Sequence, residues 1–250
     1  MRQRCRLCFG VLGTVVLLSL CCAATAAAQY KVEPPKNGGT VEGHVTFNGP
    51  VPPIPQVKTT KNQDVCGKTV PDPKATVVNP KDHGVEWAVV YLENVPAGKA
   101  PADTYAIANK GCSFQPHVLA AMQGKTFELE NKDPVLHNTH IRFMGRTLIN
   151  VALSFHEGDP MYHPLMNPRI LQHSGLVNVN CDAHEWMAGY IQVLTNPYFA
   201  VTGADGSYKI TDVPPGSYTV KVWHENLGDK TEKVTVPASG TAKLDVAYSK

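Results

Sequence analysis

Asn180-Cys181-Asp182-Ala183-His184-Glu185-Trp186-Met187 is the stretch that decides the fold, because it places a thiol, an imidazole and a thioether in one short turn. The residues before it, Leu176 to Asn180, alternate apolar and polar side chains as a strand does. The segment from Ala188 to Leu194 reads as the strand that returns after the turn. We therefore expect Cys181 at the inward-facing end of a strand, with His184 and Met187 on the loop beside its sulfur.

The side chains of this loop suit a copper ion, because soft thiolate and thioether donors beside an imidazole favour copper over hard cations. Two histidines, one cysteine and a weak axial methionine form the blue-copper electron-transfer site. The loop supplies Cys181, His184 and Met187, and His137 of the pair His137-Asn138 is predicted to supply the missing imidazole. His140 could replace His137. The alternative interpretation is a buried free cysteine with an unrelated histidine and methionine nearby.

The spacing Cys-x2-His-x2-Met, together with His137-Asn138, resembles the ligand pattern of cupredoxins and of amicyanin in particular. The similarity runs from Gly124 to Leu194, although the segment between His137 and Cys181 is unusually long. The whole chain also resembles bacterial methylamine utilisation and plastocyanin-like proteins, which join this module to a carboxypeptidase regulatory-like domain. The resemblance implies one type 1 copper ion, an electron carrier rather than an enzyme, and a dehydrogenase or a cytochrome as redox partner.

The N-terminal residues predict a signal peptide over 1–28. Arg2, Arg4 and Arg6 precede an apolar run from Phe9 to Leu20, and small residues follow before Gln29. The protein is therefore expected to be exported, with the bacterial periplasm as its location and no membrane-spanning segment after cleavage. A lipoprotein signal through Cys21 or Cys22 is the alternative, but Leu20 is a poor fit to the small residue it needs.

Removal of residues 1–28 leaves a chain of nearly balanced charge, which gives no indication of nucleic acid or an anionic membrane as partner. Of the seven cysteines, only Cys66, Cys112 and Cys181 remain after cleavage. An odd number in an exported protein suggests one disulfide and one thiol with another task. We predict a Cys66–Cys112 bond. The alternatives are two unpaired thiols, or a bond from one of them to Cys181 in the metal-free protein.

Short β-branched runs between Gly, Pro, Asn and Asp predict an all-β protein. The C-terminal pattern, Asp205-Gly206 followed by Val213-Pro214-Pro215-Gly216, resembles the transthyretin-like sandwich of carboxypeptidase regulatory-like domains. The first strands of that family match Gly39 to Val45 and Ala88 to Leu92. We therefore predict a Greek-key cupredoxin sandwich inserted into a regulatory-like sandwich. The predicted bounds are a linker at 29–37, the outer sandwich at 38–97 and 198–250, and the cupredoxin at 98–197. Two sequential domains that exchange an N-terminal strand are the alternative.

Further histidines and methionines leave other roles open. A second metal site could use His117, His140 and His224, although structural histidines are the commoner case. The segment 144–175 carries several Met and His residues and could capture copper or form a cover over the cupredoxin. In an electron carrier, we expect His184 to be the solvent-side exit for the electron and Trp186 to form an apolar docking surface for the partner.

Three functions follow from these patterns: one-electron transfer, a carbohydrate- or protein-binding module with structural copper, and copper storage or delivery. The sequence shows no Ser-His-Asp triad, phosphate-binding loop or paired-carboxylate site, and it leaves the oligomeric state open.

Overall fold

The computed structural model describes residues 29–155, 165–166 and 170–249. The predicted signal peptide, 1–28, lies outside them. The described residues form strands and one helical turn, which confirms the predicted all-β fold. The elements, in chain order, are β1 Lys31–Val32, β2 Gly39–Asn48, β3 Gln56–Lys58, α1 Gln63–Cys66, β4 Thr69–Pro71, β5 Val89–Leu92, β6 Ala97–Gly98, β7 Thr104–Asn109, β8 Phe114–Gln115, β9 Val118–Met122, β10 Thr126–Asn131, β11 His137–Phe143, β12 Arg146–Leu153, β13 Leu165–Met166, β14 Gly175–Asn180, β15 Ala188–Leu194, β16 Phe199–Val201, β17 Ser207–Val213, β18 Gly216–His224, β19 Gly228–Val236, β20 Thr241–Lys243 and β21 Val246–Ser249.

Strands β7 to β15 form one sandwich. Its sheets run β13-β10-β7-β8 and β12-β11-β14-β15-β9, and the pairs β7–β10 and β9–β15 are parallel. Alternate residues point inward, as the burial of Phe127 and Leu129 on β10 and of Val177 and Val179 on β14 shows. These side chains join Ile107, Ile141 and Ile191 in one apolar core. Cys181 and Met187 belong to the same core, so the candidate ligand loop is built on its edge.

The outer sandwich is assembled from strands that precede and follow β7 to β15. Its sheets run β16-β5-β18-β19 and β17-β2-β20, with β21 also on β2. Strand β5 lies between β16 and β18, and β2 pairs with β17. Its core is rich in valine and contains the fully buried Val41, Leu92, Tyr198, Val220 and Val222. The fold is therefore one β-sandwich inserted between the strands of another. The residue limits given above for each domain stay predictions.

An apolar junction joins the two sandwiches. Val89 from β5 packs with Val118 and Ala120 from β9, and Trp87 and Tyr190 cover them. His117, before β9, also meets the buried carboxylate of Glu225, which follows β18, at 3.0 Å. Apolar contacts and the hydrogen bond between His117 and Glu225 thus join the inserted sandwich to the outer one.

Two predicted segments differ from the structure. The strand predicted over Ala88 to Leu92 begins at Val89, because Trp87 adopts a left-handed backbone conformation with φ of 68°. The segment 144–175, predicted to capture copper or to cover the cupredoxin, contains β12, which pairs with β11 across the turn Met144-Gly145. Both turn residues have positive φ, as in a type I′ hairpin turn. A methionine in place of the usual Asn or Asp hid this turn from the sequence patterns.

Gly206 offers a test of the outer sandwich, because both its φ of 74° and its surroundings exclude a side chain. A Cβ there would lie 2.3 Å from the carbonyl oxygen of Val45, whereas a Cβ at Gly124, with φ of 78°, would meet nothing within 4 Å. We expect Gly206→Ala to lower the free energy of unfolding by about 3 kcal/mol or more, and Gly124→Ala by about 1 kcal/mol from backbone strain alone. Urea unfolding measures both, and equal losses would contradict the packing described here.

In the described part of the chain, no helix is long and apolar enough to cross a membrane.

Candidate metal centre

Three predicted ligands meet at one end of the inserted sandwich. His137 begins β11, Cys181 follows β14, and His184 lies in the turn before β15. The Nδ1 atoms of His184 and His137 are 3.0 Å apart, and the Cys181 Sγ lies 3.7 Å from His184 Nδ1. These side chains are 0 to 2% exposed. One nitrogen from each histidine and the cysteine sulfur all lie within 4.8 Å of one another. The structure thus brings together three of the four predicted ligands.

The hydrogen bonds of the two imidazoles determine which nitrogens are free. His137 Nε2 donates to Asp133 Oδ2 at 2.8 Å, and His184 Nε2 donates to Asn62 Oδ1 at 2.9 Å. Burial lowers the pKa of both histidines, so the neutral rings predominate. With the proton of each neutral ring on Nε2, both Nδ1 atoms present lone pairs, and these face each other at 3.0 Å. A bound metal ion would relieve their repulsion.

Asn138 connects the two segments that carry the ligands. Its backbone N–H donates to the sulfur of Cys181 at 3.4 Å, and its side-chain oxygen accepts the backbone N–H of Asp182 at 3.0 Å. The asparagine next to His137 therefore holds β11 against the loop after β14, which gives the His-Asn pattern a structural reason.

Met187, the fourth predicted ligand, is 1% exposed and packs in the same core as Cys181. Its backbone N–H donates to the carbonyl of His184 at 2.9 Å, which closes the turn. Trp186 packs against His184 with ring centroids 5.0 Å apart, and its indole N–H donates to the carbonyl of Cys112 at 3.2 Å. Trp186 is thus half-buried, with the polar edge of its ring turned into the protein.

Asp133 is a site residue that sequence reasoning missed. Its carboxylate accepts the backbone N–H groups of Gly111 and Cys112 at 2.7 and 2.8 Å, as well as the Nε2–H of His137. Its own N–H donates to Asn131 Oδ1 at 3.0 Å. The signal was present in Asn131-Lys132-Asp133, an Asx-type turn four residues before a candidate ligand. Metal-binding histidines usually donate their other N–H to such a partner.

The predicted disulfide between Cys66 and Cys112 is confirmed. It joins α1 to the loop between β7 and β8, next to the residues that bond Asp133. The bond also excludes Cys112 from acting as a thiolate ligand, although its sulfur lies near Asp133 and His137. Cys181 is the free cysteine of the described residues.

The prediction that His184 lies on the solvent side of the site is wrong, whereas its role as the exit for the electron stays a prediction. His184 is 1% exposed, and Asn62, the residue before α1, covers its Nε2 edge. The sequence could not reveal this contact, because Asn62 lies more than a hundred residues away in the chain and reaches the site through the disulfide-bonded segment.

The other predicted histidines do not form one cluster. His117 and His224 approach different oxygens of Glu225, at 3.0 and 3.3 Å, at the junction of the sandwiches. His140 instead lies at 3.0 Å from Asp182 and 2.8 Å from Thr147 Oγ1 on the inserted sandwich. Among the described residues, the groups whose ligand atoms lie close enough to share a metal do not include these three histidines.

The Met- and His-bearing segment is described only in part. Residues 156–164 and 167–169 lie outside the described residues, including His156, Met161 and His163. Met144 is 83% exposed in the β11–β12 turn, and the ring of His173 stacks on Phe143 at 5.8 Å. Copper capture by this segment stays a prediction.

Asp133→Asn tests whether the carboxylate of Asp133 positions His137 for metal binding. The amide keeps one acceptor oxygen but presents an NH2 group to backbone N–H donors, so the loop and the imidazole lose their common partner. We expect copper affinity to fall about 10–100-fold. Competition with a chelator measures the affinity. Asp103→Asn, at a side chain that is 96% exposed, is the matched control, and equal affinities in the two variants would exclude a supporting role for Asp133.

The comparisons with known proteins cover different parts of the chain. Residues 191–249 match the family model of the carboxypeptidase regulatory-like domain. This match confirms the predicted family of the C-terminal strands. A search of curated proteins found no match.

Solved structures similar to this chain include a purple cupredoxin from Nitrosopumilus maritimus, at 21% identity and a TM-score of 0.29, over 36% of this chain and 98% of that protein. They also include a copper-containing nitrite reductase from Thermus scotoductus, at 19% identity and a TM-score of 0.31, over 41% of this chain and 25% of that protein. A reduced amicyanin variant matches at 13% identity and a TM-score of 0.31, over 42% of this chain and 98% of that protein. These similarities are too low to carry an argument about the function of this chain.

Proposed function

We propose that the protein is an exported electron carrier with one copper ion held by His137, Cys181, His184 and Met187. The convergence of two imidazole Nδ1 atoms and the Cys181 sulfur in a buried pocket carries this proposal. The donors are soft or intermediate, which suits copper better than a hard cation. A bound copper ion supplies a one-electron couple between Cu(II) and Cu(I).

The residues of the site hold the donors in place before any metal arrives. Asp133 orients His137, Asn62 orients His184, and Asn138 joins the cysteine loop to β11. The apolar core around Cys181 and Met187 excludes water from the sulfur side. A site fixed in this way changes little between the two oxidation states, which is what rapid electron transfer requires. The role is that of a carrier rather than of an enzyme.

The partner is proposed to be a redox protein, either a dehydrogenase or a cytochrome, and the compartment to be the bacterial periplasm. The confirmed Cys66–Cys112 bond supports an oxidising compartment. Weak, small interfaces suit redox partners that must separate quickly.

Copper titration of residues 29–250 tests the function against storage or delivery. The proposed carrier binds one equivalent of Cu(II) tightly and becomes intensely coloured. Several colourless Cu(I) equivalents would instead support storage, and no copper affinity would support a binding module.

Met187→Leu tests the axial ligand. Leucine fills a similar volume in the core but has no sulfur, so Cu(II) loses a weak donor. We expect the colour to remain and the reduction potential to rise, on the order of tens of millivolts. Voltammetry of the two copper proteins measures the shift, and an unchanged potential would exclude Met187 from the ligand set.

A further inference from the structure

Residues 59–71 form a compact segment that reaches the candidate copper site from outside the inserted sandwich, through the contact of Asn62 with His184. We call this segment the cap. It contains α1 and β4, and β4 pairs with β3 just before the cap. Within it, the Thr59 N–H donates to the carbonyl of Lys68 at 3.1 Å, and the Gln63 side chain donates to the carbonyl of Thr59 at 2.7 Å. The Cys66–Cys112 disulfide attaches it to the loop beside Asp133.

Asn62 of the cap has an unusual geometry for a residue that precedes a helix. An asparagine in this position normally folds its side chain back to accept a backbone N–H of the first turn. Asn62 makes no such bond and has a left-handed backbone, with φ of 51° and ψ of 42°. Its carboxamide oxygen is directed instead to His184 Nε2, at 2.9 Å. The left-handed backbone, which asparagine tolerates, and the absence of a cap bond leave the carboxamide free to contact the histidine.

We infer that Asn62 is a positioning residue for His184, and that the cap closes the edge of the copper site that would otherwise face solvent. This inference rests on the proposed function and extends it. The carboxamide oxygen keeps the Nε2 proton in place, so Nδ1 is directed to the metal. It also blocks rotation of the ring toward solvent and the approach of small ligands along the histidine edge. Asn62 thus does for His184 what Asp133 does for His137.

Two substitutions distinguish the effect of the Asn62 side chain from that of its backbone conformation. Asn62→Gly removes the carboxamide while the left-handed backbone stays favourable, so the fold should be kept. Asn62→Asp keeps an acceptor oxygen in the side chain, and aspartate also tolerates the left-handed conformation. Asn94→Gly is the matched control, because Asn94 has a similar φ of 55° on the outer sandwich after β5. Circular dichroism checks that all three variants are folded.

The first measurement uses the metal-free protein. Diethyl pyrocarbonate reacts with accessible imidazoles, and peptide mapping by mass spectrometry gives the rate at His184 relative to His44, whose side chain is 56% exposed. We expect His184 to react at least about tenfold faster in Asn62→Gly than in the wild type, with slow reaction in Asn62→Asp and Asn94→Gly. Equal rates at His184 in the wild type and Asn62→Gly would overturn the inference.

The second measurement uses the Cu(II) protein and azide as a small external ligand. Azide should change the visible spectrum of Asn62→Gly at concentrations about tenfold lower than those needed for the wild type, Asn62→Asp or Asn94→Gly. A common azide response in all four proteins would also overturn the inference. If the wild type shows no copper–thiolate colour, the proposed function fails, while the carbethoxylation rates still decide the role of Asn62.

Discussion

Replacing Cys181 with serine is expected to abolish the visible charge-transfer band of the copper protein. The band requires a bond between copper and a thiolate, and serine supplies no sulfur. The wild-type sulfur lies 3.7 Å from His184 Nδ1 and accepts the Asn138 N–H, so it is placed for that bond. The loss of colour should be complete. The affinity for Cu(II) should also fall, because the thiolate is lost and only two imidazoles and a thioether remain as ligands.

The fold should survive this change, because serine is close to cysteine in size and one buried sulfur contributes little to the core. Near-ultraviolet circular dichroism and the urea midpoint of the metal-free proteins provide the control. Full retention of colour in folded Cys181→Ser would remove Cys181 from the metal site. Loss of the fold would move the test to the wild-type protein with its thiol alkylated.

Removal of the disulfide is expected to have the second largest effect. Cys66 and Cys112 are 46 residues apart, and the closed loop stabilises the fold by about 4 kcal/mol in the chain-entropy model. The double variant Cys66→Ala/Cys112→Ala should lose this amount in urea unfolding. Both residues are replaced together, because a single remaining thiol could pair with Cys181.

The double variant should also loosen the cap. Cys66 ends α1, which starts beside Asn62, and Cys112 donates its N–H to Asp133. We therefore expect faster reaction of His184 with diethyl pyrocarbonate in addition to the loss of stability. A loss below about 1 kcal/mol with His184 still protected would show that other contacts hold the cap. Alanine at both positions keeps the loop sequence otherwise intact, so the effect reports on the bond itself.

The ligand loop could be predicted from the sequence because its donors are local. Cys181, His184 and Met187 lie within one strand–turn–strand unit, and the alternation of Val177 and Val179 fixes which side faces the core. The disulfide followed from the number of cysteines that remain in an exported chain. The paired turns of the C-terminal strands indicated the regulatory-like sandwich, which the family match bears out.

The surroundings of the site could not be predicted, because they depend on contacts between distant segments. Asn62 reaches His184 only through the folded cap, and its left-handed conformation leaves no trace in the residues around it. The expected exposure of His184 was wrong for that reason. Strand β12 was missed because Met144-Gly145 forms a hairpin turn without the usual Asn or Asp at its first position. The late start of β5 likewise results from the left-handed Trp87.

The visible spectrum of residues 29–250 loaded with one equivalent of Cu(II) tests the central proposal most directly. The convergence of His137, Cys181 and His184 predicts an intense copper–thiolate band. A weak, pale spectrum from the folded protein in the presence of Cu(II) would contradict the proposed copper site.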